Sequence, residues 1–165
     1  MRYMYYPGCS LHGNAIDYQM SIDAMCDVIG LELSEIENWN CCGATATVSS
    51  DQKMALVLGA LNLVNCECSD LVVSCNACYL RMGQVSAKFK KYPELKKEIS
   101  QILEEEGINK EIANIGVKHL LQVLIEEVGL HEIESNVTKP LKDLKVVPYY
   151  GCQIVRPGGF DDPEQ

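Results

Sequence analysis

Asp70-Leu71-Val72-Val73-Ser74-Cys75-Asn76-Ala77-Cys78 reads as a strand that runs straight into a cysteine pair. Its Leu-Val-Val run has no polar alternation, the pattern of a strand covered on both faces. Strands of that kind belong to parallel sheets, because the helices that cross between parallel strands cover each side of the sheet. A helix is expected to start at Cys75, break before Pro93, resume to about Glu106 and stop at Gly107.

The stretches on either side repeat this plan. Residues 3–6 form a short apolar run stopped by Pro7-Gly8, and an amphipathic stretch over residues 14–29 is closed by Gly30. Residues 31–36 predict a second strand, after which Asn38-Trp39-Asn40 leads to Cys41-Cys42-Gly43. Ser50 or Asp51 is positioned to cap a helix that reaches about Asn65. Residues 117–128 carry helical spacing and end at Gly129. The fold class expected is therefore α/β, with a mostly parallel sheet and helices on both faces. In such folds ligands gather beyond the carboxyl ends of the strands. Cys9 follows the first strand, Cys41 and Cys42 the second, and Cys75 and Cys78 the third, so residues remote in sequence are expected to meet there.

From His131 to Lys145 the chain is polar and includes Pro140, which reads as a connection. Residues 146–150 then suggest a new strand ending in Gly151-Cys152. Tyr149-Tyr150-Gly151-Cys152 closely matches Tyr5-Tyr6-Pro7-Gly8-Cys9, 143 residues earlier. The expected organisation is one complete domain over residues 1–142 and the truncated beginning of a second repeat over residues 143–165.

Five of the nine cysteines form one sparse pattern: Cys9, the adjacent Cys41-Cys42 before Gly43, and Cys75-x-x-Cys78. A Cys-x-x-Cys alone serves thioredoxin-like, zinc and iron–sulfur sites alike. The adjacent pair is more informative. A disulfide between neighbouring residues is strained, so the two sulfurs suit different atoms of one polynuclear metal centre. Five thiolates are also one more than a tetrahedral zinc site or an ordinary cubane cluster requires.

Composition narrows the function further. With 47% apolar and 22% charged residues the chain is an ordinary globular one, and its net charge of −9 disfavours nucleic acid or anionic lipid as a general partner. The longest apolar stretch, over residues 55–64, is broken by Gly59 and Asn62 and is too short to span a bilayer. Residues 1–8 contain no apolar signal core. A cytoplasmic protein without membrane insertion is expected, and in that reducing compartment the cysteines read as ligands and buried thiols rather than as disulfides.

Together these segments resemble the cysteine-rich (CCG) domain family, and within it the B-type subunits of CoB-CoM heterodisulfide reductases. The resemblance rests on Tyr-Pro-Gly-Cys at Cys9, Trp39-Asn40-Cys41-Cys42-Gly43-Ala44, Cys75-Asn76-Ala77-Cys78, and a second Tyr-Gly-Cys followed by Arg156-Pro157. Members of that group carry two repeats, each holding a noncubane 4Fe-4S cluster through five cysteines, with the disulfide substrate between the clusters. Carried over residue by residue, Cys9, Cys41, Cys42, Cys75 and Cys78 would bind the first cluster, and Cys152 would be one ligand of an incomplete second site. The resemblance implies reduction of CoM-S-S-CoB to its two thiols at the end of methanogenesis. Electrons would arrive from flavin and iron–sulfur partner subunits, with a hydrogenase a further possible partner. A chain with only one complete repeat is not expected to turn over alone, and zinc is a possible occupant in an isolated fragment.

Other residues have blander readings. Cys26, Cys66 and Cys68 read as small buried hydrophobes, although Cys66 and Cys68 together would also suit adventitious zinc. His12 is either a surface or capping histidine or a donor to the site, and Arg81 either faces substrate anions or is a solvated or partner-facing residue. Lys88-Phe89-Lys90-Lys91-Tyr92 reads as a solvated helix face, and Val57, Leu61 and Val64 as core. Gly8 and Gly43 would let backbone amides approach the sulfurs. Three competing functions remain open: an electron-transfer subunit of a lactate, glycolate or succinate oxidoreductase, a zinc module built on Cys41, Cys42, Cys75 and Cys78, and dithiol exchange by Cys75 and Cys78.

Overall fold

A computed structural model describes residues 1–44, 46–67, 69–149 and 151–155. Its centre is a four-stranded, all-parallel sheet in the order β2-β1-β3-β4, with β1 at Arg2–Tyr6, β2 at Glu32–Glu35, β3 at Asp70–Val73 and β4 at Gly116–His119. The strands are short, and the two central ones carry the apolar side chains. Met4 of β1 pairs with Leu71 of β3 and Tyr6 with Val73, so the two strands stay in phase.

Side-chain alternation then sorts the core into two layers. Tyr6, Leu71 and Val73 face one cluster, built with α3 (Gln52–Leu63), α4 (Asn76–Lys91) and α5 (Pro93–Glu105). Tyr5 and Val72 face the other, where Ile22 and Cys26 of α1 (Ile16–Ile29) meet Leu120, Val123 and Leu124. Leu71, Val72 and Val73 are fully buried, as expected of a doubly covered strand.

Local sequence sets the helix ends. The Asp51 carboxylate accepts the Met54 amide at 2.9 Å and starts α3, Pro93 starts α5 where its missing N–H costs nothing, and α1 stops at Gly30. A short helix, α2 (Ala46–Ser50), precedes the Asp51 cap and was not anticipated.

Three expectations are corrected. Residues 117–128 do not form one helix. Gly116–His119 pairs with β3 as a fourth strand, and only then does the chain turn into α6 (Leu120–Gln122) and a π-helical stretch at Val123–Val128. The helix start is fixed by His119, whose Nδ1 accepts the Leu121 amide while its own N–H donates to Gln122 Oε1. The polar connection expected from His131 lies partly in a helix, α7 (Leu130–Ser135). Residues 146–149 form no strand, and Cys152–Val155 is instead a short helix, α8, that packs on α4. Tyr150, Cys68, Arg156-Pro157 and the thiol of Cys152 lie outside the described residues.

Candidate metal centre

The first three strands end on the same side, and each hands its loop a cysteine. Cys9 follows β1, Cys41 and Cys42 follow β2, and Cys75 lies two residues after β3 as the residue preceding α4. The thiols come together in groups. Cys9 and Cys41 are exposed, with sulfurs 3.7 Å apart. Cys42 and Cys78 are buried, with sulfurs 3.3 Å apart, and Cys75 also hydrogen-bonds with Cys78.

The chain holds this loop cluster firmly. Tyr6 is fully buried, donates its hydroxyl to the Asn40 carbonyl at 2.8 Å and stacks edge-on against Trp39. Asn62, fully buried in the last turn of α3, accepts the Asn40 amide at 2.9 Å and donates to the Leu58 carbonyl at 3.0 Å. The Cys-Cys-Gly loop is therefore pinned from the sheet and from a helix at once. Gly43 has φ +68°, and a Cβ there would meet Leu58 Cδ1 at 2.8 Å.

Electrostatics divide the thiols into roles. Cys78 touches two other sulfurs, so its thiolate would face two like charges in a buried setting. It keeps its proton, and its pKa is driven far upward by Cys42, Cys75 and burial. The contact with Cys78 in turn favours the charged form of each neighbour. Cys75 is lowered to about 6, chiefly by Cys78 and, against burial, by the Cys78 and Ala77 amides at the start of α4. Cys42 is lowered by Cys78, against burial, with help from the Ala44 amide and the Tyr6 hydroxyl. At Cys41 the Gly43 amide pulls the thiol down, but burial and Cys9 outweigh it and leave the pKa raised. Burial raises the Tyr6 phenol, and the charges of Cys42, Cys78, Cys41 and Cys9 add to it, so all four sulfurs lie within electrostatic reach of one ring.

The donor set fits an anionic polynuclear centre better than a single ion. Amides of Gly43, Ala44, Ala77 and Cys78 already point at sulfurs, as second-layer donors to a thiolate cluster do. Among the described residues no three His, Cys, Asp or Glu side chains converge as ligands of one metal ion. The tetrathiolate that a zinc module would need from Cys41, Cys42, Cys75 and Cys78 is not assembled.

The remaining candidates separate cleanly. Cys26 is buried in the α1 layer, and burial raises its thiol to about 11. Cys66 is buried at the end of α3, near the Asn62 carbonyl at 3.5 Å. His12 is half-exposed, pairs with Glu35 at 3.2 Å and stacks on Trp39, which makes it a brace for the β2 loop. Arg81 is buried rather than solvated. Sequence reasoning missed Tyr6, Asn62 and His119. An asparagine interrupting an apolar helix was the available signal for Asn62, whereas nothing local marked His119, which is buried against Tyr79 at the carboxyl end of β4.

Residues 3–83 match the family model of the cysteine-rich domain, CCG. The chain is 36% identical over 157 residues to the 8-methylmenaquinol:fumarate reductase membrane anchor subunit of Wolinella succinogenes, covering 94% of this chain and 54% of that protein. It is 30% identical over 155 residues to the B-type subunit of the ferredoxin:CoB-CoM heterodisulfide reductase of Methanosarcina mazei, covering 92% and 48%. A protein of Archaeoglobus profundus that is itself described as like the B-type heterodisulfide reductase subunits is 26% identical over 169 residues, covering 100% and 56%. The chain thus spans about half the length of the curated relatives it matches. Among the described residues no helix is long and apolar enough to cross a membrane.

Proposed function

Since this chain belongs, through residues 3–83, to the cysteine-rich domain family, we propose that it is an iron–sulfur subunit of a multisubunit oxidoreductase. Cys9, Cys41, Cys42, Cys75 and Cys78 would hold a noncubane 4Fe-4S cluster, and Cys152 would contribute to a second site. The observation that carries this reading is the meeting of three cysteine-bearing loops at one end of the sheet, with Cys42 and Cys78 sulfurs 3.3 Å apart and Cys9 and Cys41 sulfurs 3.7 Å apart.

When bound, the cluster would supply one-electron redox chemistry and a thiophilic iron, which no side chain of the chain provides. The protein's own part is to bury Cys42 and Cys78, present amides to the sulfurs and leave Cys9 and Cys41 at the surface, where a reactant or another polypeptide of the complex can approach. The finer reading is reduction of a small-molecule disulfide, CoM-S-S-CoB: two electrons and two protons cleave one S–S bond and leave two thiols. The electrons would come from flavin and iron–sulfur partner subunits, with a hydrogenase as a further donor. We assign residues 1–142 to the cluster-binding domain and residues 143–165 to the opening of a second repeat, a division supported by the Tyr149-to-Cys152 match to the first.

A second reading, an electron-transfer subunit of a quinol- or dicarboxylate-linked complex, is favoured by the 36% identity to the fumarate reductase subunit. One set of measurements on protein purified without oxygen separates these readings. Four irons with matching sulfide, and a paramagnetic signal perturbed by added thiol, support disulfide chemistry. The same iron and sulfide with a signal indifferent to thiol but oxidised by a quinone favour the second reading. Stoichiometric zinc without sulfide overturns both.

A further inference from the structure

Arg81 lies one turn beyond Cys78 on α4, in the wall of a cleft of about 310 Å³ that Ala44, Val48, Ala77, Leu80 and Gln84 also line. It is only 6% exposed. Among the described residues its Nη1 donates to the neutral Gln84 Oε1 at 3.2 Å, and its buried Nε has no hydrogen-bond partner. None of the ion pairs found among the described residues involves it. A guanidinium stays charged in proteins, and an unpaired buried charge is strongly destabilising, so a fold that keeps one must supply an anion.

Among the described residues, the anionic group that acts on it is a sulfur. Cys78 shares a helix face with Arg81 at i, i+3, and Cys42 is the group whose charge acts on the guanidinium, opposing the effect of burial. Among the described residues the lining of the cleft, which also includes Ser49 and Gln153, offers no carboxylate. A solvent anion in the cleft would also have to reach a donor atom that is closed to water.

We infer that Arg81 is the charge-compensating residue of the thiol site: its buried guanidinium offsets the negative charge of a metal cluster held by Cys42 and Cys78, and so raises that cluster's reduction potential. This holds only if the five-cysteine site binds an anionic cluster, as proposed above. The sign follows from Coulomb's law, because the reduced cluster carries one more negative charge than the oxidised one and is stabilised more by a nearby cation.

The test compares wild type, Arg81→Met and Arg81→Lys, each loaded with iron and sulfide and each metal-free. In the loaded protein Arg81→Met is expected to lower the reduced-to-oxidised ratio at the wild-type midpoint at least tenfold, a shift of about 59 mV for one electron. Arg81→Lys, which keeps the charge, is expected to recover most of that. Thermal melting should reverse sign: Arg81→Met lowers the melting temperature of the loaded protein but leaves it equal or higher in the metal-free protein, where the charge of Cys42 does not offset the burial of the cation. A loaded Arg81→Met protein with an unchanged midpoint overturns the inference. So does equal destabilisation with and without metal, or a lysine variant that behaves like methionine, since each marks a packing role. A wild type that takes up no iron overturns the proposed function, and this inference with it.

Discussion

A side chain at Gly8 would place its Cβ 2.9 Å from the sulfur of Cys78, well inside the contact distance of carbon and sulfur. Gly8 also has φ +78°, in the left-handed region. The turn after β1 therefore passes close to the helix that carries Cys78, and only a residue without a side chain keeps the two together. Gly8→Ala adds a left-handed penalty of about 1–2 kcal/mol and displaces the buried sulfur. The expected result is a melting temperature lower by roughly 3–8 °C, together with reduced iron retention. A variant that melts as wild type does and holds full iron would show that the turn has slack.

Two buried cysteines should respond differently to the same change. Cys42 lies against Cys78, whereas Cys26 is enclosed by apolar groups in the α1 layer. Cys42→Ser is expected to cut iron content below half of wild type after anaerobic reconstitution. Cys26→Ser leaves iron content intact but loses roughly 1–2 kcal/mol, because a hydroxyl replaces a thiol in an apolar site. Equal iron contents in the two variants would remove Cys42 from the ligand set.

Reactivity in the metal-free protein should follow the same map. The thiolate is the attacking form. Cys75, held down to about 6 by Cys78 and the amides of α4, is half ionised near pH 6, so its alkylation rate should rise through that pH and level off by about pH 7. Cys26, pushed up to about 11, should stay inert until well above pH 9. The depressed pKa also carries a stability consequence. Folding favours the Cys75 thiolate, so its contribution is absent below pH 6, grows as pH rises and is complete above the ordinary thiol value of 9.0. Peptide mapping after timed iodoacetamide pulses checks the order, and a Cys75 rate that keeps climbing to pH 9 would show that the shift is absent.

What the sequence made legible was whatever short-range pattern determines. The Leu71-Val72-Val73 run and the residues that cap and break helices, Asp51, Pro93 and Gly107, gave three strands and four helices in nearly their observed places. The placement of the cysteines followed from the strand ends. What stayed hidden depends on partners far along the chain. Gly116–His119 has too few residues for alternation to register, and it becomes a strand only because β3 offers it an edge. Val146 and Val147 have strand-like composition but no sheet neighbour among the described residues, and both are exposed. Composition gives no sign of α2 either, since Thr, Val and Ser are mediocre helix formers. The burial of Arg81 could not be read from an amphipathic helix, where a charged residue is by default placed in water.

The interruption at Asn62 is the case where a local irregularity did carry meaning. A buried amide in the last turn of an apolar helix is destabilising unless its polar atoms are bonded, and here both are: the Asn40 amide donates to Oδ1, and Nδ2 donates to the Leu58 carbonyl. Asn62→Leu fills similar space but leaves the Asn40 N–H without its acceptor, at a cost of about 1–3 kcal/mol, and releases the loop that presents Cys41 and Cys42. Asp51→Ala, at the other end of the same helix, removes the cap on Met54 at a comparable cost of about 1 kcal/mol, without touching that loop. Both variants should therefore melt a few degrees below wild type. They should part when the loaded proteins are challenged with an iron chelator: Asn62→Leu is expected to lose iron about 10-fold faster, as supporting hydrogen bonds around metal ligands usually tune affinity by 10–100-fold, while Asp51→Ala tracks wild type. If both variants lose iron at the same rate, helix stability alone governs retention, and Asn62 has no particular part in holding the site.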